Sequence, residues 1–281
     1  MSNKKAKDEI FKIFVLIVCI ILACLSLFPF IIMIVNSTRS TYEIQQSAVS
    51  FIPSKYFISN LKILTGKSFN PAVGFLNSLI VSISVTVLTL YFSTLTAYAL
   101  VMYDWKLKNA FFSFIMGIMM IPATITIIGF YQMVYKIHMT NKFIMLILPA
   151  IAAPSLVFFM RQYMKPAVSP SLVESARIDG AHEFFTFNMI VLPIMKPALA
   201  TQAIFCFVTS WNDLFKPLVL LTKHSKYTLP IMVSLLKGDI YKTEFGSIYL
   251  GLTFTVLPLI IIYMLLSRYI VAGVALGAVK G

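Results

Sequence analysis

Long apolar stretches, separated by polar segments of very unequal length, set the pattern of this chain. A helix needs about 20 mostly apolar residues to cross hydrocarbon. Six stretches qualify, at residues 11–35, 76–101, 110–134, 143–160, 197–221 and 247–270. The pattern predicts an all-α membrane protein with six transmembrane helices. The fourth stretch is short and carries Pro149 and Pro154. It is expected to kink, or to pack against neighbours that satisfy its freed carbonyls. Of the polar segments, 36–75 and 222–246 are long, 103–109 and 135–142 are short, and 161–196 is long and mixed in charge.

Composition narrows this further. Of 281 residues, 59% are apolar and only 12% charged, too few charges to coat a globule in water. A soluble enzyme is excluded. The net charge of +13 comes from 23 Lys+Arg against 10 Asp+Glu. These basic residues are scattered between apolar runs and not gathered in a block, as in a membrane protein with basic flanks and unlike a nucleic-acid-binding one. Cys19, Cys24 and Cys206 lie inside apolar runs with no CxxC and no nearby His. They read as lipid- or helix-packed free thiols, not a disulfide framework or a zinc site.

Lys4, Lys5, Lys7 and Lys12 before an apolar run resemble a signal peptide, and Ile21-Leu22-Ala23-Cys24 approximates a lipoprotein cleavage box. The run continues through residues 25–35, far beyond a signal core, so it reads as a retained first span. Lys and Arg divide almost evenly between the two sets of loops, but the four at the N-terminus flank the first helix and favour a cytoplasmic N-terminus.

The loop after the fourth stretch carries the most information. Ser171 and Glu174 have capping-box spacing, with Pro170 just outside. Leu172, Val173 and Ala176 give the first helix an apolar face. Asp179-Gly180 supplies a turn in which Gly takes a positive φ at a helix C′ position. A second, aromatic-rich segment with Phe184, Phe185, Phe187 and Ile190 follows, and Pro193 and Pro197 break it before the fifth span. The prediction is a small amphipathic hairpin on the membrane surface. Capping and turn chemistry alone would equally suit an ordinary interfacial linker.

Glu174-Ser175-Ala176, three residues, Gly180, nine residues and Ile190-Val191-Leu192-Pro193 resemble the cytoplasmic signature of permease subunits in binding-protein-dependent ABC importers. The family form is Glu-Ala-Ala, three residues, Gly, nine residues, Ile-x-Leu-Pro. Ser175 is the one departure, and Asp179 and Ala181 also fit. Trp211-Asn212-Asp213, Tyr227-Thr228-Leu229-Pro230 and the ending Gly277-Ala278-Val279-Lys280-Gly281 look like the carbohydrate branch, and more specifically the maltose-type second permease.

This resemblance implies a type-1 permease fold with both termini cytoplasmic in a bacterial cell membrane. It divides the chain into a first helix and long outer segment (1–75), a permease core (76–270) whose coupling loop is 161–196, and a cytoplasmic tail (271–281). It implies that Glu174, Ser175, Ala176, Asp179, Gly180, Ala181, Ile190, Leu192 and Pro193 couple to an ATPase. Glu174 would hold the cap, and Leu172, Val173, Ala176 and Ala181 would offer a small apolar surface to a groove. The implied partners are a second homologous permease, two ABC ATPase subunits and an extracytoplasmic sugar-binding protein. The implied function is import of a sugar, an oligosaccharide by preference, by alternating access. The chain needs no cofactor, because ATP binds the partner subunits. A permease for a non-sugar solute is the alternative. An autonomous secondary transporter is less well supported, since several intramembrane carboxylates or an inverted repeat are expected there.

Other residues carry weaker signals. Gly66-Lys67-Ser68 lacks the upstream Gly of a phosphate loop, Leu61 standing in its place. Asp213 is the acidic residue clearly inside a predicted span, and Lys216 is placed to pair with it. Trp211, Asn212 and Asp213 are therefore candidates for the substrate path, with Trp211 able to stack on a sugar or to sit in an interfacial belt. His138, His182 and His224 are separate loop residues, and His182-Glu183 is expected at the surface. Gly273 and Gly277 form a small-xxx-small pair that reads as tail or as an ATPase contact. No catalytic or metal-binding constellation is present in the sequence.

Overall fold

A computed structural model describes residues 2–66, 70–235 and 244–278. The regular structure among them is helical throughout: α1 (Ser2–Asn36), α2 (Thr41–Gln46), α3 (Phe57–Gly66), α4 (Pro71–Met102), α5 (Lys108–Met119), α6 (Ala123–Lys136), α7 (Ile144–Ile147), α8 (Pro154–Ala167), α9 (Pro170–Ile178), α10 (Glu183–Phe185), α11 (Leu192–Ile194), α12 (Lys196–Trp211), α13 (Phe215–Leu220), α14 (Leu229–Leu235) and α15 (Phe245–Ala278). The chain forms two compact units, Met1–Pro71 with Val233–Val256 and Ala72–Met232 with Leu257–Gly281.

In the first unit, α1 is apolar on every side and almost wholly unburied from Glu9 onward, the form of a helix made for lipid. A polar knot closes its far end. The Arg39 side chain is only 8% exposed, and its guanidinium donates to Asn36 Oδ1, to the Ser47 carbonyl and to the Glu43 carbonyl. Asn60 Nδ2 donates to the carbonyls of Ser37 and Arg39, and Thr41 Oγ1 donates to Glu244 at 2.8 Å. Ser40 and Glu43 form a reciprocal capping box at the start of α2.

The Ser40 amide, ahead of opposing burial and with help from Ser54, Ser40 Oγ and Arg39, holds the Glu43 carboxyl below its ordinary value of 4.5. A lowered carboxylate contributes stability that is complete above 4.5 and is lost as pH falls through the lower folded value. Protection of the Ser40 amide against hydrogen exchange, taken relative to the intrinsic rate at each pH, should therefore hold down to pH 4.5 and fall below it. An equal fall in Glu43→Gln would refute the assignment to this carboxylate.

In the second unit, α4 buries Ser78, Ser82, Thr86, Thr89, Ser93 and Ala97, a single face of small residues at three- and four-residue steps that lets other helices approach closely. Pro154 has no amide proton for the carbonyl of Ala150, and Thr89 Oγ1 donates to that carbonyl at 3.1 Å. The fourth predicted stretch is thus α7, a 3-10 turn at Leu148–Ile151 and α8, and a neighbour supplies the bond that the proline withholds. At the other end of α8, Tyr98, Met160, Met164, Val173, Phe187, Val191 and Met195 form a packed core.

Six long spans are not what the described residues show. Three helices are long and apolar enough to cross a membrane, Glu9–Asn36, Pro71–Met102 and Ile144–Ala167, or four if Glu183–Ile194 and Lys196–Trp211, bent by 80°, count as one. The expected span at 110–134 is interrupted between α5 and α6, where Pro122 and an extended backbone end one helix before the next begins. The expected span at 197–221 breaks between α12 and α13. That at 247–270 lies within α15. Lys67, Ser68 and residues 279–281, which belong to the phosphate-loop and tail readings above, fall outside the described residues.

Candidate functional site

Residues 169–195 fold as a hairpin at the α8 end of the second unit. Pro170 is the first residue of α9 and Ser169 its N-cap. Proline suits that position because its missing amide proton needs no partner there. The capping box expected from Ser171 and Glu174 therefore does not form: Ser171 Oγ pairs with Ser169 Oγ at 2.7 Å, and Glu174 is exposed.

The turn does follow the expected chemistry. Gly180 has φ +82°, its amide donates to the Arg177 carbonyl at 3.0 Å, and the Ala181 amide donates to the Ala176 carbonyl at 2.9 Å. This pair of bonds is a Schellman motif, which ends α9 with its last carbonyls satisfied. His182 then caps α10, its Nδ1 accepting from the Phe185 amide. The backbone widens into a π-helical turn at Thr186–Val191 just before Pro193, whose ring would otherwise clash with the carbonyl of Met189. Pro193 thus sits inside a continuing helical run, and the chain bends at Met195.

The apolar residues of the hairpin divide in two. Val173 and Ala176 are buried, Val173 within the core beneath, so they are not open to an outside groove as expected. Leu172, Ile178, Phe184, Phe185 and Met189 are exposed, Ile178 by 86%. Glu174, Ser175, Asp179, Gly180 and Pro193 are also exposed, while Ala181, Ile190 and Leu192 are half-buried. Ser175 Oγ donates to the Ser171 carbonyl.

A brace that the sequence did not reveal ties the hairpin to α4. Arg177 Nε donates to Glu183 Oε1 at 2.6 Å, and Tyr98 Oη donates to Glu183 Oε2 at 2.8 Å. The guanidinium also lies over the Tyr103 ring at 5.0 Å. Bonding to Glu183, against burial, pushes the Arg177 pKa up. Burial first, then Glu183, pushes the Tyr103 hydroxyl up. Glu183, expected at the surface, instead links both arms of the hairpin to the end of a long helix.

The second candidate group sits where α12 ends. Trp211 is 1% exposed, stacked on Phe207 and in a T-shaped contact with Phe75. It has no open face for a sugar ring. Asn212 is exposed and caps α12 through its amide. Asp213 accepts from the Lys216 amide at 3.3 Å and lies 3.7 Å from the Lys216 ammonium, so the expected pair forms, although in a break between helices and not on one helix face. Both line a cavity of about 920 Å³ in the second unit, together with the polar side chains of Thr89, Gln202, Thr209 and Ser210. No group of three or more His, Cys, Asp or Glu placed to hold a metal occurs among the described residues.

Known proteins share this architecture. The chain is 36% identical to the arabinooligosaccharides transport system permease protein AraQ of Halalkalibacterium halodurans over 262 residues, covering 92% of this chain and 93% of that one. It is 32% identical to the protein of the same name from Bacillus subtilis, over the full length of both. In structure it matches a chain of a bacterial ABC transporter involved in the import of the acidic polysaccharide alginate, with a TM-score of 0.78 at 24% identity, covering 94% and 97% of the two chains. That likeness shows a shared all-α, multi-span permease fold. Residues 90–276, well over half of the chain, match the family described as binding-protein-dependent transport system inner membrane component. With that match and two relatives above 30% identity over nearly the whole length, the chain belongs to the family of inner-membrane permease components of binding-protein-dependent ABC importers.

Proposed function

We propose that this permease imports an oligosaccharide, and that the hairpin from Pro170 to Ile194 receives the work of ATP hydrolysis from separate ATPase subunits. The observation that carries the coupling reading is the hairpin's construction. A Schellman turn and the Arg177–Glu183–Tyr98 brace make it stiff, while Leu172, Ile178 and Phe184 stand out unburied beside Glu174 and Asp179. An exposed apolar face on a rigid helix suits insertion into a groove. Glu174, Ser175, Asp179 and Gly180 would face the ATPase. Ala176, Ala181, Ile190, Leu192 and Pro193 would hold the shape that presents them.

The sugar assignment rests on the named substrates of the AraQ relatives and on the cavity beside Asp213 and Lys216. Its volume suits a small ligand, and its hydroxyls, amide and ion pair can exchange hydrogen bonds with a sugar. Around this core we place six membrane crossings, counting α5 with α6 and α12 with α13 as interrupted spans, with both termini and residues 161–196 in the cytoplasm. A second permease, two ATPases and an extracytoplasmic sugar-binding protein complete the assembly.

The sidedness can be tested directly. A cysteine at Ile178 in a background lacking Cys19, Cys24 and Cys206 should react with a membrane-impermeant maleimide in inside-out vesicles and remain unlabelled in intact cells. Labelling in intact cells sinks the coupling reading. Loss of the chain from its host should abolish energised uptake of arabino-oligosaccharide, and undiminished uptake would remove the substrate assignment.

A further inference from the structure

The segment between α2 and α3 carries an apolar tip that is no part of the coupling hairpin. Val49, Phe51 and Ile52 are all exposed, Ile52 by 76%. The two ends of the tip are fastened. At the entry, Arg39 Nη1 donates to the Ser47 carbonyl at 2.7 Å and Asn36 Nδ2 to the Ala48 carbonyl at 2.9 Å. At the exit, the Ser54 amide donates to Thr38 Oγ1 at 2.9 Å, Ser54 Oγ donates to Glu43, and the Tyr56 amide donates to the Thr38 carbonyl. A buried arginine and a capping box thus hold a short loop whose outermost side chains are those that water favours least.

The position of the tip along α1 says what it meets. The Phe51 ring lies edge-on against Phe28 of α1, with centroids 5.9 Å apart. Phe28 precedes Asn36 by eight residues, which at the rise of an α-helix is about 12 Å back along the axis. The apolar span Glu9–Asn36 has 28 residues and is about 42 Å long, close to the full thickness of a bilayer with its headgroups. If the span is centred, Asn36 lies at the headgroup surface and Phe28 inside the hydrocarbon boundary. The loop therefore leaves the polar knot at Asn36, descends beside α1 to hydrocarbon depth and returns to Thr38.

Part of its backbone is satisfied locally. Ser47 Oγ donates to the Val49 carbonyl at 2.9 Å, and Ser50 Oγ accepts from the Ile52 amide at 3.1 Å. Two of the tip's polar backbone groups are thereby spared exposure to lipid, and the remainder lie nearer the headgroups at its flanks. Lys55, exposed just beyond the exit, is placed to meet lipid phosphates while its stem lies along apolar surface.

We infer that Val49–Phe51–Ile52 is a membrane wedge, seated in the lipid leaflet at the Asn36 end of α1. It fixes the depth of the knot that closes the first unit. This depends on α1 crossing the bilayer and not on which solute is carried.

Nitroxide labels distinguish the possible coverings. Single cysteines would be placed at Phe51, at Leu22 as a mid-span reference and at Lys62 as an aqueous one, in the full-length chain without its native cysteines. The labelled chain, assembled with its second permease and ATPase subunits, would be reconstituted in phosphatidylethanolamine and phosphatidylglycerol vesicles. A wedge predicts that the label at 51 behaves like that at 22, with frequent collisions with oxygen and loss of collisions with a water-soluble nickel chelate. Nickel collisions at 51 matching those at 62 overturn it, and a label at 51 shielded from both reagents shows a protein covering and overturns it as well. Nickel access at 22 would instead show that α1 does not span, and the proposal falls with that premise.

Discussion

Gly180→Pro should leave the chain inserted in the membrane and abolish coupled uptake. Three features of the turn conflict with proline. The residue sits at φ +82°, whereas proline is confined near −65°. Its amide donates to the Arg177 carbonyl, and proline has no such proton. Asp179, with φ −71° and ψ 2°, would have to leave a region that residues before proline avoid. Together these cost about 3 kcal/mol or more, enough to undo the Schellman turn and release one arm of the hairpin from the other. Gly180→Ala is the graded control. A Cβ there meets nothing within 4 Å, so its cost is the left-handed backbone alone, about 1–2 kcal/mol, and uptake should fall only partly. Membrane fractionation reports insertion, and uptake of labelled oligosaccharide set against ATP consumed reports coupling. Wild-type uptake in Gly180→Pro would mean that the hairpin carries no work.

This prediction was legible in the sequence because the turn is local. Gly180 stands just past an apolar-faced helix, and only neighbouring atoms decide its conformation. The proline effects at 149 and 154 were readable for the same reason, although Thr89, which repairs one of them, was not. The capping box failed although Ser171 and Glu174 have the right spacing, because Pro170 starts the helix earlier and makes Ser169 the N-cap, where no side-chain capping bond forms. Hydropathy also overran its warrant at 110–134. A sum over side chains registers Pro122 as one mildly unfavourable residue, whereas the backbone registers it as the end of a helix. Trp211 shows the limit from another side. An aromatic residue near the end of an apolar stretch reads alike whether it lines a path or fills a core, and only Phe75 and Phe207, distant or one turn away, decide that it is buried. Glu183 was hardest of all, because its partners are Arg177 across a turn and Tyr98 on a helix 85 positions earlier.

That brace leads to the second large effect. Arg177→Glu should uncouple uptake nearly as severely as Gly180→Pro, because it sets two carboxylates against each other where one ion pair stood. Arg177 and Glu183 keep 35% and 43% of their side-chain surface exposed, so solvent screens the pair, and its neutral loss should cost only about 1 kcal/mol. Glu183→Gln is therefore expected to be mild, since it keeps an acceptor for Tyr98. The like-charge variant adds repulsion to the loss and should also detach the hairpin from α4, because Tyr98 and Arg177 share one carboxylate. The exchange Arg177→Glu with Glu183→Arg restores the ion pair while removing the acceptor for the Tyr98 hydroxyl. It should recover a large part of the coupling ratio but not all of it, and Tyr98→Phe in the wild type should reproduce the missing part. A brace that merely holds the fold predicts lower protein in the membrane for each variant, with unchanged sugar imported per ATP in what remains. A brace that transmits force predicts normal insertion with more ATP hydrolysed per sugar. No recovery in the exchanged pair, at normal insertion, would show that each residue acts separately and that the hairpin is positioned by the core beneath it alone.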